Sequence, residues 1–203
     1  MKSRYIEDYE LLKLKKYMTK RQWLPFEVAL QTGLRIGDVL KIKKADIDEM
    51  RGELNYVSEK CSKRGRCKLA KNLCKKLLSN SQTSEYCFAS RRSKSGHITR
   101  QAAWKWVKDA AERANIDISG VSPHAFRKVY AAELYKEKGI EAVKNALQHE
   151  RADTTQIYAL SDFMTGKNAE KPLLRKDIRL IANMVVQQIR SIEHDGDGQD
   201  KAR

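Results

Sequence analysis

The chain has 203 residues, 41% of them hydrophobic and 33% charged, which predicts one domain, or one domain with an appendage, around a substantial core. Lysine and arginine outnumber aspartate and glutamate by 41 to 26, so the net charge is +15. This excess predicts a polyanionic partner. It favours nucleic acid over a membrane surface, because the basic residues alternate with core-type apolar ones instead of forming a terminal tract.

The sequence excludes a membrane span and indicates no metal site. Its longest apolar run, residues 180–186, is broken by an asparagine, and the N-terminus lacks an apolar signal region. No paired C-x-x-C spacing and no histidine at zinc-ligand distance accompany the four cysteines, Cys61, Cys67, Cys74 and Cys87. We therefore expect free thiols in a reducing cytoplasm.

In the N-terminal part of the chain, apolar residues recur with the period of an α-helix. Apolar positions predict a first helix over residues 8–18, with Asp8 as its N-cap. A second helix is predicted over residues 20–32. Gly33 then breaks the pattern, as a glycine just after a helix does.

Arg35 begins a third, short helix whose apolar side turns inward through Ile36, Val39 and Leu40. The helix dipole disfavours positive charge at this position. Arg35 is therefore either an ordinary exposed arginine or a functional one, with Asp38 as its carboxylate partner.

Between residues 51 and 69 the spacing of apolar residues changes from the helical period to the two-residue period of β-strands. The sequences ELNYV (53–57) and RCKLA (66–70) predict a hairpin with its turn at residues 63–65. The hairpin and the helix after it hold eight basic residues: Lys60, Lys63, Arg64, Arg66, Lys68, Lys71, Lys75 and Lys76. They form either a solubilising surface or a finger along a phosphate backbone, and the net charge favours the finger.

A flexible basic loop, residues 90–97, precedes the next helix. Thr99 is placed to cap that helix, which should run to about residue 114. We expect Trp104 and Trp106 in the core or half-buried, and not as platforms for base stacking. A connector with a glycine near its end follows.

The segment from residue 122 to residue 158 contains the candidate reactive groups. His124 and Arg127 stand three residues apart in a helical pattern, so an imidazole and a planar guanidinium share one face. Such a pair suits the oxygens of a phosphodiester. His149 and, nine residues later, Tyr158 follow. Taken separately, the first pair also fits a solvated basic face, and the tyrosine also fits half-buried packing.

The C-terminal part is predicted to be a polar link, an amphipathic helix and a tail. The apolar residues of the helix recur at spacings of three and four: Leu174, Ile178, Ile181, Val185, Ile189 and Ile192. We therefore predict three parts in the chain, a domain over residues 1–160, a linker and amphipathic helix over 161–193, and a disordered tail over 194–203.

Five motifs, in their order and spacing, resemble those of one family: TGLRIGD around Arg35, the lysine-bearing hairpin, PHAFR, LQH and TTQIY. Over about residues 5–160 the chain is similar to the catalytic domain of tyrosine recombinases, the phage-integrase family. The resemblance implies a mainly α fold with a small antiparallel β-sheet, as in DNA breaking-rejoining enzymes. It also implies site-specific DNA recombination, by integration, excision or inversion.

The resemblance gives each candidate residue a role. Tyr158 would attack the scissile phosphate, giving a 3′-phosphotyrosyl link and a free 5′-hydroxyl. Lys60 would protonate the leaving oxygen, with Lys63 as the alternative because this turn is longer than is common. The non-bridging oxygens would be stabilised by Arg35, Arg127, His124 and His149. No cofactor or divalent ion is implied, because two guanidiniums supply the positive charge.

The chain also departs from the family pattern. Gln148 stands where glycine is common and Phe126 where leucine is usual, and we interpret both as tolerated packing changes. Most relatives hold DNA with a separate N-terminal helical domain, whereas the recognisable domain here begins almost at Met1. That predicts either a fragment of a longer integrase or a stand-alone catalytic-domain recombinase.

The implied partners are double-stranded DNA at a specific site and further copies of the chain, as a tetramer on paired sites. Accessory DNA-bending proteins are further candidates. The C-terminal helix would dock either on a neighbouring protomer or on its own domain. The rival functions are supercoil relaxation, RNA binding, and a catalytically silent DNA-binding regulator that retains the fold. The presence of all six candidate residues opposes the silent regulator.

Overall fold

The computed structural model describes residues 3–58, 64–81 and 84–147. These ranges contain the helices α1 (Asp8–Lys16), α2 (Lys20–Thr32), α3 (Ile36–Leu40), α4 (Lys71–Ser79), α5 (Arg100–Arg113) and α6 (Pro123–Leu147). They also contain an antiparallel sheet with the strands in the order β1 (Ile47–Asp48), β2 (Glu53–Val57) and β3 (Arg64–Lys68). The predicted mainly α fold with a small antiparallel sheet is confirmed.

Local capping sets the limits of α2, which has the predicted bounds. The hydroxyl of Thr19 accepts a hydrogen bond from the amide of Gln22 at 3.2 Å. At the other end Gly33 adopts a left-handed conformation with φ of 68°. Both ends are therefore fixed by residues that sequence reasoning can recognise.

The predicted start of α1 is confirmed, but the predicted N-cap is not. The N-cap is Glu7, whose amide donates to the carboxylate of Glu10 at 3.0 Å. Asp8 is already the first helical residue, so the prediction of Asp8 as N-cap is wrong. The helix ends at Lys16, earlier than the predicted residue 18.

The hairpin is confirmed with a shift of its second strand. β3 begins with Arg64 opposite Val57, two residues earlier than predicted, so Arg64 and Gly65 belong to the strand and not to the turn. Gly65 allows the pairing because the Tyr56 ring lies over it: a Cβ on Gly65 would be 2.5 Å from Tyr56 Cζ. The two-residue strand β1 was not predicted, because so short a strand has no periodicity.

In α5 the predicted cap is confirmed, since the hydroxyl of Thr99 accepts from the amide of Ala102 at 3.2 Å. Trp106 is half-buried, as predicted, but Trp104 is 51% exposed, so that prediction is wrong. The core side of the helix is occupied by Ala103, Val107 and Ala110. Trp104 lies about 100° around the helix from Ala103 and therefore turns outward.

α6 packs against α2 through three aromatic rings. Phe26 and Phe126 are stacked with centroids 4.7 Å apart, and Trp23 meets Phe126 edge-on at 5.9 Å. Phe26 and Phe126 are fully buried. The phenylalanine at position 126 therefore fills the core beside its partner on α2, as a stacked aromatic pair does in a close-packed interior.

The segment before α1 is fixed by a bidentate ion pair. Arg4 Nη1 donates to Glu10 Oε2 at 2.8 Å, and Nη2 donates to Oε1 at 2.6 Å. Burial raises the pKa of the Glu10 carboxyl, but hydrogen bonds from Arg4 and from the Glu7 amide together lower it by a larger amount. The pKa of Glu10 therefore lies below its ordinary value.

The variant Glu10→Gln tests this pair through pH. Because the pKa is depressed in the folded state, the carboxylate stabilises the fold above its ordinary pKa of 4.5, and this stabilisation is lost as the pH falls through the folded-state value. We expect the variant to lose about 1–3 kcal/mol of unfolding free energy at neutral pH. Its stability should then fall less in acid than that of the wild type. Urea unfolding from neutral pH to below pH 4.5 measures both effects.

The matched control is Glu85→Gln, which breaks the exposed ion pair of Glu85 with Lys43 at 3.0 Å. This variant should keep both the neutral stability and the acid response of the wild type. An acid response in Glu10→Gln as steep as that of the wild type would contradict the expectation.

Candidate active site

Arg127 lies in the first turns of α6, with 6% of its surface exposed. Its Nη1 donates to the carbonyl oxygen of Gly33 at 2.6 Å. Gly33 follows α2, and Arg35 stands two residues later at the start of α3. This contact holds the Arg127 guanidinium against the turn that carries Arg35, although Arg127 and Gly33 are 94 residues apart in the chain.

The turn depends on the absence of a side chain at Gly33. A Cβ there would lie 2.3 Å from Cδ1 of Tyr130, so the tyrosine ring packs directly on the glycine backbone. Tyr130 follows Arg127 by about one helical turn, so both side chains reach the same turn from α6. Burial raises the pKa of the Tyr130 hydroxyl. Gly33 therefore provides both the left-handed turn and the space for Tyr130.

Arg35 is the N-cap residue of α3, with extended backbone angles of φ −65° and ψ 143°. Both of its terminal nitrogens are buried, as is the Nε of Arg127. The alternative of an ordinary exposed arginine is therefore wrong for Arg35. Asp38 is 4% exposed in the same short helix. Guanidinium nitrogens held away from water attract an anion more strongly than solvated ones.

His124 occupies the first turn of α6. Its side chain is exposed, whereas that of Arg127 is buried. Positions three apart lie on neighbouring sides of a helix, so the imidazole reaches solvent beside the buried guanidinium. The N-terminal end of α6 adds the positive end of the helix dipole. The structure thus brings Arg35, His124 and Arg127 to the region where α3 and α6 begin.

The other predicted site residues lie outside the described residues. β2 ends at Val57 and β3 begins at Arg64, so Lys60 and Lys63 fall between them. His149 and Tyr158 come after the end of α6. Their roles stay predictions.

A basic cleft of about 990 Å³ was not predicted as a site. It lies between the start of α2, two loops and the start of α5. Arg21 from α2 lines the cleft and donates to the carbonyl of Ala89 at 2.7 Å, while Arg91 and Arg92 come from the loop. The sequence identified that loop as basic and flexible, but it gave no sign that α2 supplies a third arginine. Three guanidiniums beside a helix N-terminus suit a polyanion.

Among the described residues, no group of three or more histidine, cysteine or acidic side chains could hold a metal ion. In the same part of the chain no helix is long and apolar enough to cross a membrane. Cys67, Cys74 and Cys87 are free thiols, as predicted. Burial raises the pKa of both Cys67 and Cys87 to about 12, so they stay protonated at neutral pH.

Comparison with known proteins shows the family. Residues 5–164 match the phage integrase family. Tyrosine recombinase XerA of Thermococcus kodakarensis is 30% identical over 145 residues, which are 68% of this chain and 50% of that protein. Tyrosine recombinase XerD of Mycobacterium tuberculosis is 42% identical over 69 residues, 34% of this chain and 22% of the relative. The chain thus spans half or less of the length of these relatives.

The fold agrees with this assignment. A crystal structure of a lambda integrase(75-356) dimer bound to a COC' core site superposes with a TM-score of 0.69 at 19% identity, covering 86% of this chain and 64% of that one. The chain belongs to the phage integrase family.

The variant Gly33→Ala tests the turn that joins the two arginines. An alanine with positive φ costs about 1–2 kcal/mol, and overlap with the Tyr130 ring adds about 1–3 kcal/mol. We therefore expect a loss of about 2–5 kcal/mol in unfolding free energy, measured by urea denaturation.

Gly96→Ala is the matched control. Gly96 also has positive φ, at 74°, but a Cβ there would lie 3.6 Å from the nearest Tyr86 ring atom, which is an ordinary contact. It should show the backbone cost alone, about 1–2 kcal/mol. Equal losses in the two variants would show that Tyr130 does not restrict position 33.

Proposed function

We propose that the chain is the catalytic part of a site-specific DNA recombinase, which cleaves and rejoins strands through a covalent 3′-phosphotyrosyl intermediate. The observation that carries this proposal is the buried hydrogen bond from Arg127 to Gly33, because it brings two arginine-bearing segments to one place. Membership of the phage integrase family supports it. So does the presence of a histidine and a tyrosine at the family's positions, His149 and Tyr158.

The proposed reaction exchanges one phosphoester for another. The hydroxyl oxygen of Tyr158 bonds to the scissile phosphorus, and the bond from phosphorus to the 5′-oxygen breaks. The tyrosine proton passes to water, and Lys60, or Lys63 in its place, gives a proton to the leaving oxygen. The reverse steps with a 5′-hydroxyl from another strand rejoin the DNA. The intermediate keeps the energy of the phosphodiester, so rejoining needs no nucleotide cofactor.

The described residues supply charge stabilisation in this reaction. Arg127 and Arg35 carry fixed positive charge with donor groups that match phosphate oxygens, and their burial limits reorganisation when negative charge develops. His124 adds a donor at the exposed edge of the same helix. Two guanidiniums held in this way perform the charge role that a divalent ion has in other phosphoryl-transfer enzymes.

The proposed substrate is double-stranded DNA. The net charge of +15 and the cleft lined by Arg21, Arg91 and Arg92 support a contact surface for the phosphate backbone. We extend the proposal to self-association on paired sites, as in the lambda integrase tetramer bound to a Holliday junction, which has the same fold. Accessory DNA-bending proteins and a cytoplasmic location stay predictions.

Covalent trapping tests the proposed reaction. The protein is incubated with EDTA and a nicked suicide duplex that carries candidate inverted-repeat sites from its genomic flanks. We expect a denaturation-resistant adduct in the wild type and none in Tyr158→Phe, because the nucleophile is lost. Arg127→Ala should lower the rate of adduct formation by about 10²–10³-fold, the usual effect of removing one charge-stabilising donor.

The matched control is Arg51→Ala, because Arg51 is an exposed arginine whose ion pair with Asp48 spans 3.8 Å. Its rate should equal that of the wild type. Binding to the site without any adduct would contradict the proposal and favour the catalytically silent regulator.

A further inference from the structure

The connector between α5 and α6, residues 114–122, is held by groups that lie outside it. Four consecutive carbonyl oxygens, those of residues 117–120, accept hydrogen bonds from Arg4 or Lys108. Arg4 donates from Nη2 to residue 117 at 3.2 Å, from Nε to residue 119 at 3.1 Å and from its backbone nitrogen to residue 120 at 3.0 Å. Lys108 Nζ donates to the carbonyl of residue 118.

The connector needs such external contacts because its backbone is irregular. Asn115 and Gly120 have positive φ values of 52° and 70°, so the segment cannot continue as a helix or a strand. At Gly120 the two segments are in close contact: a Cβ there would lie 3.0 Å from the backbone nitrogen of Arg4. The position of Arg4 therefore determines the path of the chain into α6.

Arg4 is itself held in one orientation. Its guanidinium makes two parallel hydrogen bonds with Glu10, which is 5% exposed and belongs to α1. A planar guanidinium can bind a carboxylate and two carbonyl oxygens at once, whereas a lysine ammonium has no comparable fixed geometry. The pair therefore connects α1 rigidly to the connector.

The same N-terminal segment also contacts α6 beyond its first turn. Lys128, which is 8% exposed and follows Arg127 directly, donates to the carbonyl oxygen of Ser3. The first turns of α6 are thus held from two sides, by residues 3–4 on one and by the carbonyl of Gly33 on the other. His124 lies in these first turns, and Arg127 itself makes the contact with Gly33.

We infer that Arg4 is a positioning residue for the phosphate-binding site. It acts through the connector, which it aligns so that α6 begins where His124 and Arg127 can engage the scissile phosphate. Arg4 need not contact the DNA. This inference rests on the proposed function, because a phosphate must be bound at these residues for their position to matter.

The test measures the single-turnover rate of adduct formation at saturating DNA, and separately the affinity for the same duplex. The variants are Arg4→Ala, Arg4→Lys and Glu10→Gln, with Glu85→Gln as the control that breaks a carboxylate pair elsewhere. All assays run below the unfolding midpoint of each variant. A wild type that binds the duplex but forms no adduct would refute the proposed function and the inference with it, whereas an active wild type with equally active Arg4 variants would refute the inference alone.

We expect the rate of Arg4→Ala to fall by about 10–100-fold, as small misplacements of catalytic groups do, with DNA affinity within about 3-fold of the wild type. Arg4→Lys should not restore the wild-type rate, because lysine keeps the positive charge but lacks the planar guanidinium that donates two parallel hydrogen bonds to Glu10. If Arg4→Ala fails to fold, the rates of Glu10→Gln and Arg4→Lys test the inference in its place. In a His124→Ala background the further loss from Arg4→Ala should shrink, because both changes act on the first turn of α6.

A folded Arg4 variant with the wild-type rate would overturn the inference, since a purely stabilising residue lowers only the unfolding midpoint. An equal loss of rate in Glu85→Gln would overturn it as well. Full rescue by Arg4→Lys would also do so, because charge alone would then suffice.

Discussion

The buried hydrogen bond from Arg127 to the carbonyl of Gly33 joins segments that are 94 residues apart in the chain. It forms only because the turn after α2 is left-handed and lacks a side chain, which lets Tyr130 pack on the backbone. A buried guanidinium without such an acceptor would cost several kcal/mol, on the order of the penalty for an uncompensated buried charge. The geometry of the site is thus built into the packing of α6 against α2.

That packing also makes the site rigid. The stacked rings of Phe26 and Phe126 fix α6 against α2 directly beside Arg127, and close-packed aromatic side chains permit little movement. Before α6 begins, Arg4 holds the connector that leads into it. Donors fixed before a phosphate arrives need little reorganisation when charge develops on it, which is the physical basis of the proposed catalysis.

The sequence predicted several features that depend on neighbouring residues, although it misplaced the N-cap of α1 by one residue. Gly33 and Thr99 mark helix ends because a cap needs only a side chain or a glycine within a few positions. The start of β3 was missed because it depends on the ring of Tyr56 across the hairpin. The motifs identified Arg35 and Arg127, but their burial and the contacts of Arg4 arise from segments far apart in the chain, which no local pattern encodes.

The most direct test of charge stabilisation by Arg127 uses DNA in which the scissile phosphate is a methylphosphonate. Replacing one non-bridging oxygen by a methyl group removes the negative charge that the guanidinium would stabilise. We expect Arg127→Ala to cleave this DNA much closer to the wild-type rate than it cleaves the ordinary phosphodiester. An equal loss of cleavage on both substrates would contradict a charge role for Arg127 and with it the central claim about this site.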